Sequence, residues 1–170
     1  MRRIAIIGLA SSTHADAPGD WERWGLPWDG YASMYDLLFE MHPREYLDNH
    51  PDVPRPSEYI DRLRDSVVPV YMQETNADIP KSARYPFEEV GLNVFGEFPR
   101  ADQIDYYSSS IAYMMALAIN HRVDEIGIWG VDMDMDYEYS YQRPNMEYLI
   151  GLAVGRGIRV YIPEESPLCR

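Results

Sequence analysis

The sequence predicts an α/β fold: a three-layer sandwich built on a mostly parallel sheet of about five strands, in one domain covering residues 1–170. Three observations carry this expectation. Short β-branched runs end in glycine or in polar residues, segments with apolar residues at helical spacing lie between several of them, and 170 residues that are 46% hydrophobic and 25% charged can bury one sizeable core.

The elements follow in chain order. Arg3-Ile4-Ala5-Ile6-Ile7-Gly8 reads as a buried first strand running into the small-residue loop Leu9 to Thr13. Thr13 to Tyr31, rich in Gly and Pro and carrying Trp21, Trp24 and Trp28, reads as an irregular but packed loop. Asp36 to His42 is a second apolar run, stopped by Pro43, which leaves Glu40 and His42 at its carboxyl end. Ser57 to Leu63 has helical spacing, and Val67 to Tyr71 gives a third strand. Asn76 to Gln103, interrupted by Pro80, Pro86 and Pro99, reads as a surface excursion with one helix over Phe87 to Phe95. Ser108-Ser109-Ser110 can cap a helix whose apolar residues Ile111, Met115, Ala118 and Ile119 share a face and which ends at Asn120 and His121. Glu125 to Asp132 is a fourth strand, Pro144 is expected to start a helix running to Gly155, and Ile158 to Ile162 is the fifth strand. Strands alternating with helices imply parallel pairing with right-handed crossovers.

Composition removes several classes of function. Lys and Arg number 15 against 28 Asp and Glu, and the resulting charge of -13 repels phosphate backbones, so direct nucleic-acid binding is not expected. No apolar stretch approaches the roughly twenty residues that span a bilayer, and the run Ile4 to Ala10 suits a strand better than a signal peptide. The single cysteine, Cys169, excludes an intramolecular disulfide and a thiolate zinc cluster, which makes the cytoplasm the default location. The 14 tyrosines and 4 tryptophans serve equally as stacking surfaces for a ligand or as core filler.

In a parallel sheet, ligands bind beyond the carboxyl ends of the strands, so those ends are where chemistry is sought. Gly8 to Ser12 offers small residues and hydroxyls that could approach a phosphate or ribose, although a tight turn with no ligand accounts for the same residues. The loop lacks both the G-x-G-x-x-G spacing and a P-loop lysine. Ser108, Ser109 and Ser110 place hydroxyls and amides at a helix start, where the dipole favours an anion; plain N-capping is the simpler explanation. Asp132, Asp134 and Asp136 would share one side of an extended segment and suit magnesium, with Asp132 and Asp134 the candidate ligands, while a solvated acidic loop explains them as well. Glu40 and His42, two residues apart in a strand, could form an acid/base pair or a structural hydrogen bond. His14 could reach the cleft, His50 and His121 look like surface or helix-end residues, and Gln142, Arg143 and Asn145 could clamp a carboxylate or phosphate.

Taken together, Ile4 to Gly8 with the serines that follow, Tyr107 to Ala112, Glu125 to Met133 and the ending Tyr161 to Leu168 resemble bacterial sialyltransferase-like proteins. A related archaeal pterin pyrophosphokinase-like family has a similar layout, and the whole resembles small phage proteins of that Rossmann-like superfamily. The resemblance implies a Rossmann-like fold in which Gly8, Ser11 and Ser12, with Ser108, Ser109 and Ser110, hold a nucleotide. The family's catalytic histidine has no counterpart between Asp136 and Asn145, which leaves His42 or Asp132 as the base.

These readings converge on a nucleotide or nucleotide-sugar binding protein that acts as a glycosyltransferase-like group-transfer enzyme. In it Ser11, Ser12, Ser108, Ser109, Ser110 and Arg143 bind the ligand, Asp132 binds base, sugar or magnesium, and His42 or Glu40 moves the proton. The competing expectation is a non-catalytic phage-type accessory protein that sequesters a nucleotide or inhibits a host protein. Its acidic, tyrosine-rich surface also leaves room for a protein partner or self-association.

Overall fold

The computed structural model describes residues 1–27, 34–49, 55–96, 107–133 and 139–170. Seven strands occur among them: β1 (Arg3–Ile7), β2 (Glu22–Gly25), β3 (Leu37–Glu40), β4 (Val70–Met72), β5 (Ser82–Arg84), β6 (Glu125–Trp129) and β7 (Arg159–Tyr161). Their hydrogen-bonding order is β5-β4-β3-β2-β1-β6-β7, and the pairs whose register is defined are all parallel. The α/β class with a Rossmann-like parallel sheet therefore holds, but the expected five strands become seven. The two additions are β2, inside the segment expected to be irregular, and β5, inside the expected surface excursion. Neither shows the β-branched run that marks β1 and β6: β2 is Glu-Arg-Trp-Gly and β5 is Ser-Ala-Arg, held by backbone pairing to β3 and β4.

The helices are α1 (Arg44–Asn49), α2 (Pro56–Arg64), α3 (Phe87–Val90), α4 (Ser110–Asn120) and α5 (Tyr139–Gly155), with a π-helical turn over Gly91–Phe95 extending α3. The helix expected from Phe87 to Phe95 is thus present as an α-to-π run. Helix α5 starts five residues before Pro144, which lies inside it rather than at its start. The proline sits near the amino end, so its missing N–H removes one bond, to the first turn.

The chain divides into two compact units, Met1–Arg23 with Pro86–Arg170, and Trp24–Tyr85. In the first, β1, β6 and β7 pair with Ile4 opposite Ile126 and Ile6 opposite Ile128. Each residue of β1 from Ile4 to Ile7 is fully buried, as expected for a strand covered on both faces. Helix α4 is buried along Ile111, Ala112 and Met114 to Ile119, which explains why its sequence is apolar almost all round. In the second unit Trp24 and Phe39 pack at 5.5 Å between ring centres, and Val70 and Leu63 are buried as well. Among the described residues no helix is long and apolar enough to cross a membrane.

Candidate functional site

Strand order reverses at β1: the chain leaves β1 towards β2 on one side, and β6 pairs on the other. Parallel sheets open a crevice at such a switch point, beyond the carboxyl ends of the two strands. Here those ends are Gly8 to Ser12 after β1 and Gly130 to Asp132 after β6, both in the first unit.

Backbone bonds knit the two loops. The Gly8 amide donates to the Trp129 carbonyl at 2.8 Å and the Ala10 amide to that of Gly130 at 2.9 Å. The Gly130 amide in turn donates to Oγ1 of Thr13 at 2.8 Å, a hydroxyl only 1% exposed. Gly130 has φ +62, and a Cβ on Gly8 would lie 2.4 Å from the Gly130 carbonyl oxygen. Close approach of two strand ends therefore accounts for both glycines. At the mouth of this turn the Ser12 hydroxyl donates to Oδ1 of Asp132 at 2.6 Å, joining residues 120 apart in sequence across the switch point. The Ser166 hydroxyl closes the far side by donating to the Val131 carbonyl at 3.2 Å.

Helices α4 and α5 begin at this same edge, since α4 leads into the start of β6 and α5 follows its end. Ser109 is the N-cap of α4, its hydroxyl accepting from the Ala112 amide at 3.2 Å. Ser108 donates to Oδ1 of Asn145 at 2.9 Å, tying the start of α4 to the first turns of α5. Ser110 is the first helical residue, half-buried like its two neighbours. Ser109 thus performs the capping expected of it, and its helix end presents positive dipole to the edge.

Arg143 is committed within its own chain: Nε donates to Glu147 at 3.0 Å, and Nη2 donates to the carbonyls of Pro167, at 2.9 Å, and Arg170. It fastens the carboxyl-terminal segment. Arg143→Ala is expected to cost about 1 kcal/mol in denaturant titrations, the low end for bonds to a charged group that is partly solvated, and to leave nucleotide affinity unchanged. A weakened affinity would return Arg143 to the ligand.

Asp134 and Asp136 lie outside the described residues, as does His50. Among the described residues no group of three or more His, Cys, Asp or Glu side chains is placed to hold a metal ion, and Asp132 is met by a serine hydroxyl rather than a second carboxylate. His121 is the C-cap of α4, with Nδ1 3.2 Å from Nη1 of Arg2; burial and then the Arg2 charge push its pKa down.

The second unit holds a separate cluster. Glu40, the last residue of β3, is 1% exposed, and its carboxylate collects three donors. Oε1 accepts from the His42 amide at 3.0 Å and from His42 Nδ1 at 2.6 Å, and Oε2 accepts from the Tyr59 hydroxyl on α2. The His42 ring stacks on Tyr46 of α1, 4.4 Å between centres and 11° from parallel. Gln73, just after β4, donates to the Met41 carbonyl at 2.7 Å and pins the intervening residue. The Glu40–His42 pairing follows the expected spacing, whereas Tyr59 and Tyr46 carry no local sign of this role.

Burial, and then the Glu40 charge, hold the Tyr59 phenol well above the usual tyrosine range. An acid whose pKa rises on folding keeps its proton longer in the native state, so stability is retained below about pH 10, the unfolded value, and falls as pH rises beyond it. The fall attributable to Tyr59 approaches about 1.4 kcal/mol per pH unit, the one-proton limit. Denaturation measured from pH 8 to 11 is expected to show this excess slope in the wild type and not in Tyr59→Phe.

Neither a protein-family model nor a curated protein matches the chain. Solved structures do. The fold is similar to the sialyltransferase CstII from Campylobacter jejuni in complex with the substrate analogue CMP-3FNeuAc: TM-score 0.56 and 14% identity, over 99% of this chain and 82% of that one. It is similar also to CstII in complex with cytidine-5'-monophosphate, with TM-score 0.53 and 14% identity over 97% of this chain and 81% of that one. At such identity the likeness establishes the fold, and it agrees with the sialyltransferase-like part of the resemblance read from the sequence.

Proposed function

We propose that the chain binds a nucleotide, or a sugar activated by one, at the β1/β6 switch point and transfers the activated group. The observation that carries the reading is the Ser12–Asp132 hydrogen bond across the switch point, at the same edge as the amino end of α4. The division of labour follows from charge. A carboxylate repels phosphate, so Asp132 suits ribose hydroxyls or a base amino group, with Ser12 orienting it. Phosphate falls to amides of the Leu9–Ser12 loop and of the α4 start and to the hydroxyls of Ser11, Ser109 and Ser110, since those of Ser12 and Ser108 donate to Asp132 and Asn145, and the α4 dipole supplies the positive field. The CMP-bound CstII structures, alike in fold, support a cytidine nucleotide as the first ligand to try.

Calorimetry with CMP, CDP, a UDP-sugar and ATP tests this. Binding of one or more is expected, weakened at least tenfold by Asp132→Asn and severalfold by Ser12→Ala; no binding of any nucleotide, with or without magnesium, rejects the reading. Recovery of a nucleotide-sugar intact after long incubation with acceptors would reduce it to sequestration. Because the donors are amides and hydroxyls on a chain of charge -13, affinity is expected to stay level or rise between about 20 and 200 mM salt, as screening relieves repulsion. A steep loss would point to lysine or arginine contacts instead.

A further inference from the structure

We infer that the first unit carries a second binding site, for a small multivalent anion bearing phosphate or carboxylate groups, at the end of the sheet opposite the switch point. It stands apart from the nucleotide reading and lies wholly within that unit.

A cavity of about 720 Å³ opens where α4 runs into β6 and α5 runs into β7, with Asn93 of the π-helical turn in its wall. Small-molecule sites span about 300–1,000 Å³, so the space suits a compact ligand. Its lining includes three arginines, Arg122, Arg156 and Arg159, against one carboxylate, Asp124. This local positive excess runs against the composition, in which Asp and Glu outnumber Lys and Arg by 28 to 15.

The arginines are held to different degrees. Arg156 donates from Nη1 to the Asn93 carbonyl at 3.0 Å and from Nη2 to that of Val94 at 2.7 Å, which fixes its guanidinium plane and leaves its other N–H groups for a ligand. Arg159 reaches Glu125 through Nη2 alone, at 3.2 Å. The Arg122 side chain meets no hydrogen-bond or ion-pair partner among the described residues. Asp124 is already engaged: its Oδ2 accepts from the Arg2 amide at 2.5 Å and lies 4.0 Å from the terminal ammonium of Met1. A guanidinium fork matches phosphate and carboxylate alike, and several of them favour an anion with more than one charged group.

The backbone adds a second argument. Both helices end in the same turn, with one left-handed residue before the strand, its amide donating three residues back: Arg122 to Ile119 at 3.0 Å and Gly157 to Val154 at 2.9 Å. At φ +82 Gly157 is unstrained, whereas Arg122 holds φ +50 against the steric penalty of a side chain. A cation near a helix end offsets the dipole, but any position in the last turn does so, and dipole compensation leaves the choice of the strained position unexplained. What that position does supply is a guanidinium in the cavity wall. The two helix ends contribute about half a negative charge each, which three guanidiniums outweigh.

Calorimetry of the full chain in low-salt buffer, with pyrophosphate in one arm and citrate in the other, tests the site and separates phosphate from carboxylate. Binding of one or both is expected, weakened at least tenfold in Arg122→Gly and severalfold in Arg159→Gln. Without anion, Arg122→Gly is expected to melt no lower than the wild type, because glycine removes the strain; circular dichroism follows the melting and establishes that both variants fold. No binding of either anion, equal binding by the wild type and Arg122→Gly, or a clearly lower melting temperature for Arg122→Gly, overturns the inference. CMP is titrated separately, so the failure of this site and that of the switch-point reading are distinguishable.

Discussion

Glu40→Ala is expected to destabilise the protein by about 3–5 kcal/mol, the range for breaking a buried charged network from one side. The truncation removes an acceptor that is 1% exposed and takes the carboxylate from the Tyr59 hydroxyl and His42 Nδ1 at once. Each lost bond to a buried acceptor costs about 1–3 kcal/mol where nothing replaces it, and half-exposed His42 recovers part of its share from solvent. Against a total stability of about 5–15 kcal/mol this is a large fraction, so urea denaturation should show a clear drop in midpoint. Glu40→Gln keeps an acceptor oxygen and should lose less than half as much. A loss below about 1 kcal/mol for alanine would mean that the carboxylate does not organise this cluster.

Gly8→Ala is the second large effect. The new methyl would sit 2.4 Å from the Gly130 carbonyl oxygen and 2.9 Å from Cγ2 of Val131, and the first obstacle is backbone that has no room to yield. Forcing the strand ends apart is expected to cost about 1–3 kcal/mol, as overpacking does elsewhere. It should also lengthen the Ser12–Asp132 bond and so lower nucleotide affinity together with stability. Gly151 supplies the control: it is exposed on α5 with nothing within 4 Å of a built Cβ, so Gly151→Ala should gain about 0.5–1 kcal/mol in helix propensity and leave affinity alone. Equal effects at the two sites would show that the crowding at Gly8 is without consequence.

The contrast between these glycines bears on how much of the molecule is legible in its sequence. Five strands are legible because each carries an apolar run, β-branched in Ile4 to Ile7 and in Glu125 to Trp129 and leucine-rich in Leu37 to Phe39. Strands β2 and β5 write none, because β2 opens on Glu and Arg and β5 is three residues paired through the backbone. Helix α1 follows Pro43 with six residues, too few to display a period.

The site shows the same division. Glu40 and His42 are two apart, a spacing that suggests one face of a strand, although β3 ends at Glu40 and the pairing is made just beyond it. Tyr59 is 19 residues away on the buried face of α2, where it reads as core. Thr13 and Ser166 are loop hydroxyls whose partners, Gly130 and Val131, lie 117 and 35 residues distant; nothing local marks such pairings. The serine triplet was visible, but its separate duties, Ser109 to its own helix and Ser108 to Asn145, depend on where α5 packs.

One measurement bears most directly on the switch point as the binding site: crystals of the full chain soaked in CMP at saturating concentration. Nucleotide density is expected against Ser12 and Asp132, with the phosphate towards the amino end of α4. Density elsewhere on the molecule, or a crevice that stays without nucleotide at saturation, would show that the Ser12–Asp132 bridge merely closes a turn.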